Sequence, residues 1–86
     1  MFPYRWLLEM SPKLTPISWK KLVKVFEKDG FSVDRVEGSH VILTKPGVVR
    51  PIVVPKYAEV GLDIIQSNMR TAGMNRNRFF TLVSEI

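Results

Sequence analysis

His40 is the chain's one histidine, and it closes the triplet Gly38-Ser39-His40. An imidazole ordinarily titrates between about pH 5 and 8, so a single ring can move a proton at neutral pH. With one histidine and no cysteine, the chain can build neither a His-cluster metal site nor a thiol nucleophile. The carboxylates Glu9, Glu27, Asp29, Asp34, Glu37, Glu59, Asp63 and Glu85 are scattered among basic residues, and only Asp34 and Glu37 lie near His40 in the chain. Two-metal and paired-carboxylate hydrolysis are therefore unsupported. No HExxH, EF-hand, Walker or GxGxxG pattern occurs. The chemistry rests on His40 alone.

RNA suits such a residue, because RNA carries its own nucleophile. A base that takes the 2′-OH proton lets that oxygen attack the adjacent phosphate. The protein must then supply cations for the developing charge and a hold on the strand. Thirteen Lys and Arg against eight Asp and Glu give a net charge of +5, a field that draws polyanions. Arg35, Lys45 and Arg50 share a predicted strand meander with His40, and Lys56 follows it. These four, with Gly38 and Ser39, are the candidate RNA-binding residues. For the leaving-group acid, Tyr57, Lys45 and water stay open. Arg76 and Arg78, with Arg70 nearby, offer a separate phosphate site at a helix start.

A chain of 86 residues makes one domain with a modest core. Residues 1–13 read as an N-terminal arm whose apolar members are Phe2, Tyr4, Trp6 and Leu7, with Met10 as an alternative start. Residues 14–86 read as the domain. Thr15-Pro16 and Ser18 both offer helix N-cap chemistry, with Pro16 suited to a first helical position. Trp19, Leu22, Val23 and Phe26 form one stripe. Gly30 and Phe31 match a Schellman ending. Strands follow at Phe31–Val36, His40–Lys45 and Arg50–Pro55, the first turn holding Gly38 and the second Pro46-Gly47. Pro51 and Pro55 limit the third strand to an edge or themselves to its ends. A helix from about Val60 to Ala72 buries Leu62, Ile65, Met69 and Ala72. Asn75 caps a third helix carrying Phe79, Leu82, Val83 and Ile86, with Met74 and Phe79 at hydrophobic-staple spacing. The order α-β-β-β-α-α gives an α+β sandwich with helices on one face of a three-stranded antiparallel sheet. Val41 and Leu43 point to one face and Ile42 to the other, which is left for a partner or a second copy of the chain.

Taken together these segments resemble the HicA toxins, the YcfA-like mRNA interferase family. The resemblance is carried by Ile17-Ser18-Trp19-Lys20-Lys21-Leu22-Val23, Asp29-Gly30-Phe31, Gly38-Ser39-His40-Val41, Val54-Pro55-Lys56, Gly61-Leu62 and Ala72-Gly73-Met74. It covers residues 14 to 84. It implies a double-stranded-RNA-binding-domain-like (dsRBD-like) fold and metal-independent cleavage of mRNA by an endoribonuclease with His40 as the catalytic residue. It further implies a HicB-type antitoxin over the open sheet face. Tyr57 stands where the family commonly has histidine, Gly61-Leu62 lacks the usual intervening threonine, and Arg76 and Arg78 replace acidic residues.

The leading expectation is a toxin-type mRNA interferase acting in the cytoplasm on single-stranded rather than duplex RNA, without metal or other cofactor. No stretch approaches the ~18 apolar residues of a membrane span. The alternative is a non-catalytic or inactivated RNA- or protein-binding module on the same fold, indifferent to loss of His40. A structural protein using the apolar arm comes third.

Overall fold

The computed structural model describes residues 13–86; the apolar arm lies outside the described residues. Leu14 and Ile17 already pack against the core, and Ile17 bridges to Val60. Helix α1 spans Trp19–Lys28, and its N-cap is Ser18, whose Oγ accepts from the Lys21 amide at 3.3 Å. Pro16 precedes the helix instead of opening it. Leu22, Val23, Val25 and Phe26 are buried. At the other end the Gly30 amide donates to the Glu27 carbonyl and the Phe31 amide to the Phe26 carbonyl, both at 3.0 Å. Gly30 has φ +101°, a conformation that side-chain-bearing residues avoid. The Phe31 ring meets Phe26 edge-on at 5.8 Å. This is the complete Schellman motif, with its apolar contact.

Strands β1 (Ser32–Glu37), β2 (His40–Lys45) and β3 (Val48–Pro55) form an antiparallel sheet in the order β1-β2-β3. Val41 and Leu43 of β2, with Ile52 and Val54 of β3, belong to the core shared with the helices. Ile42 is buried but lies outside that cluster, on the opposite face. Strand β1 shows no alternating burial and is exposed at every position. It is an edge strand, and a register shift between Val33 and Arg35 breaks its period. The third strand starts at Val48, two residues before the expected Arg50. Pro51 falls within a second register shift, on the other edge strand, where a missing N–H is tolerated.

Helix α2 spans Leu62–Ala72 and packs along β3. Ile65 and Met69 face inward as expected, whereas Leu62 is exposed and Asn68 takes a buried place. The Asn68 amide donates to the Val53 carbonyl at 3.3 Å, satisfying a group on the free edge of β3. Helix α3 (Arg76–Ser84) is capped by Asn75, whose Oδ1 accepts from the Arg78 amide at 2.8 Å. Met74, Phe79 and Leu82 are buried, while Ile86 is exposed beyond the helix. Helix α3 packs on α1. The order α-β-β-β-α-α with a three-stranded antiparallel sheet is the α+β, dsRBD-like architecture. Among the described residues no helix is long and apolar enough to cross a membrane.

Candidate active site at one end of the sheet

Glu37 and His40 are register partners, so Gly38 and Ser39 form a two-residue hairpin loop. Gly38 has φ +58°, and among the described residues none other than glycine has positive φ. A left-handed first position followed by an ordinary second is the type II′ turn, for which glycine is selected. The turn delivers His40, exposed, at the first position of β2. Side chains alternate along a strand, so His40 shares the face of Ile42, away from the core residues Val41 and Leu43.

The end of β3 closes against this turn. His40 pairs with Pro55, and the next amide, Lys56, donates to the Ser39 carbonyl at 2.7 Å. The chain then bends tightly, the Tyr57 amide donating to the Pro55 carbonyl at 2.7 Å, and the Tyr57 carbonyl accepts from the Trp19 amide at 3.2 Å. The backbone thereby fastens Gly38, Ser39, His40, Lys56, Tyr57 and the start of α1 at one end of the molecule. The Lys56 ammonium lies 5.2 Å from the Trp19 ring centroid, and that of Lys20 lies 5.8 Å away. Two cations thus flank a half-buried indole at the end of the molecule that carries the Gly38-Ser39 turn, and by sequence Trp19 belongs only to the helix stripe.

The other expected RNA contacts are dispersed. Arg35 is on the His40 side of the sheet, opposite Ile42, but its Nε donates to Glu37 at 2.6 Å and its Nη1 to Asp34 at 2.5 Å. The Glu37 hydrogen bond, and then that of Asp34, hold this exposed guanidinium above its ordinary range. One cation against two carboxylates leaves this strip without positive charge to offer. Lys45 ends β2, five residues from His40 and on the order of 16 Å away at the rise of a strand. Its ammonium lies 3.5 Å from Asp29 Oδ2 and over the Phe31 ring at 5.5 Å. Arg50 lies near the start of β3 and borders a groove with Ser67, Arg70 and Thr71 of α2. The phosphate site expected around Arg76 and Arg78 is not left open, because Arg78 Nε is bound to Asp29 Oδ1 at 3.2 Å.

A family model described as the HicA toxin of bacterial toxin-antitoxin matches residues 19–74. The chain belongs to the HicA toxin family. The matched stretch runs from the first residue of α1 to Met74 after α2 and contains His40, its turn, Lys56 and Tyr57. Helix α3, with the Arg78–Asp29 pair, lies beyond it. HicA proteins are the toxins of bacterial toxin-antitoxin pairs, so the family assigns this chain a toxin role and an antitoxin partner. Comparison with curated protein sequences gave no match.

Proposed function

We propose that this chain is a toxin-type mRNA interferase, an endoribonuclease that needs no metal and uses His40 as general base. The observation that carries the reading is the placement of His40, exposed directly after a two-residue turn whose Ser39 carbonyl accepts from the Lys56 amide at 2.7 Å. In the reaction His40 takes the proton of a ribose 2′-OH. The 2′-oxygen forms a bond to the adjacent phosphorus, and the bond from phosphorus to the 5′-oxygen breaks. That oxygen leaves with a proton from an acid. Lys56 supplies charge to the crowded phosphate, and Tyr57, exposed and two residues beyond the His40 partner Pro55, is the acid of this reading. Lys45 is withdrawn from that role by its distance and its tie to Asp29.

The face bearing His40, Ile42 and Val53 is the face of the sheet that the helices leave open. An antitoxin of the HicB type seated there shields the histidine and blocks RNA together. Single-stranded RNA fits better than duplex, because the site is one histidine and one lysine at a sheet end, not a pair of groove-spanning helices. We place this activity in the cytoplasm, where translated mRNA is found.

The test compares wild type and His40→Ala for growth arrest and for cleavage of RNA with EDTA present. Cleavage by the wild type that persists in EDTA and disappears in an equally folded His40→Ala chain is expected. Undiminished arrest by that variant overturns the assignment and leaves a non-catalytic RNA-binding module.

A further inference from the structure

Away from His40, β3 and α2 enclose a groove lined by Val48, Val49, Arg50, Ser67, Arg70 and Thr71, with a volume of about 480 Å³. That size is within the range of pockets that take small organic ligands. Arg50 and Arg70 are both exposed, and among the described residues neither guanidinium has a carboxylate within 4 Å. This sets them apart from Arg35, Lys45 and Arg78, each held by an acid. Two unpaired guanidinium groups with two hydroxyls beside them match a phosphodiester, which takes hydrogen bonds and charge together.

The groove continues. A second stretch shares Arg50, Ser67 and Thr71 and adds Pro51, Val53, Ile64, Asn68 and Asp63. It follows β3 toward Pro55 and therefore toward His40. Its middle is apolar, suited to sugar and base faces, while Asp63 near the start of α2 repels phosphate. Charge selects the Arg50 and Arg70 end for a backbone anchor.

We propose that this groove is a second RNA-backbone site, holding a phosphate of a strand whose scissile phosphate lies at His40. The inference rests on the reading of RNA as substrate. Arg50 is about five strand residues from Pro55, on the order of 16 Å, a span of a few nucleotides of extended strand. The site thus measures length: an RNA must reach both ends of β3 to use it.

The test uses full-length chain carrying His40→Ala, so that bound RNA stays intact, and single-stranded RNAs of about 4 and about 12 nucleotides. The longer RNA is expected to bind about tenfold more tightly. Arg50→Gln with Arg70→Gln should abolish that advantage and lower the salt slope for the longer RNA by about 1.4, the value for two phosphate contacts on a single strand. Arg50→Lys with Arg70→Lys should keep the slope, which separates lost charge from a damaged fold. A length advantage that survives the glutamine pair overturns the groove and leaves RNA as the substrate. Binding of neither RNA overturns the RNA reading, and the groove with it.

Discussion

His40 pairs with Glu37 on one side and, on the other, with Pro55, the residue before Lys56. Glu37 is the direct cross-strand partner and spends its carboxylate on Arg35. Lys56 is held through its backbone amide, and its ammonium lies 5.2 Å from the Trp19 ring centroid. A cation over a ring near the surface gains only about 0.5–1 kcal/mol, so on the proposed function a substrate phosphate can draw it away. Lys56→Gln should therefore slow RNA cleavage by about 10–100-fold, read as single-turnover rate at saturating protein. Lys45→Gln should instead lower the melting temperature, since its partner is Asp29. Equal rate losses in the two would mean that proximity to His40 does not decide which cation serves. The Gly38-Ser39-His40 turn was legible in the sequence because a glycine turn fixes its neighbours locally. The clamp was not. Lys45 and Arg50 share strands with His40 and Pro55, yet five residues of extended chain place them far off, a distance the strand rise alone would have given.

Asp29 shows how elements are tied across the chain. Its carboxylate, only 11% exposed, holds Lys45 at the end of β2 and Arg78 in the first turn of α3, while its backbone caps α1. One side chain joins two helices and a strand. Asp29→Ala leaves both cations without their acid and should cost roughly 1.5–3 kcal/mol, seen as a fall of several degrees or more in melting temperature. A variant with wild-type melting would show that apolar packing alone seats α3. The pairs span 16 and 49 residues, and no local pattern announces them. By contrast the Ser18 and Asn75 caps and the Gly30-Phe31 ending were readable, because each is closed within three to five residues. The second helix falls between these cases. Ile65 and Met69 set its inner face, and Asn68 shares that stripe at i+3 from Ile65. A polar residue there signals a buried hydrogen bond, found at Val53. Leu62, expected on that stripe, is exposed as the first residue of α2.

At the scale of the whole molecule, the open face and the helix face divide the labour. The helices bury Val41, Leu43, Ile52 and Val54 from one side, and the other side carries His40, Ile42 and the part-exposed Val53. An antitoxin that neutralises the toxin by covering this face must take the histidine out of solvent, whatever else it touches. The chain has a single histidine, so imidazole acylation followed by mass analysis of this chain reports on one position. Free protein should be modified readily at His40. In the complex with its antitoxin, modification should fall to the level of a buried ring and return when the complex is dissociated by salt or by proteolysis of the antitoxin. Protection with RNA alone should depend on RNA concentration and weaken with added salt, because phosphate contacts release counterions. An antitoxin complex in which His40 reacts as fast as in the free chain would place the partner on another surface, and neutralisation would then have to act at a distance from the histidine.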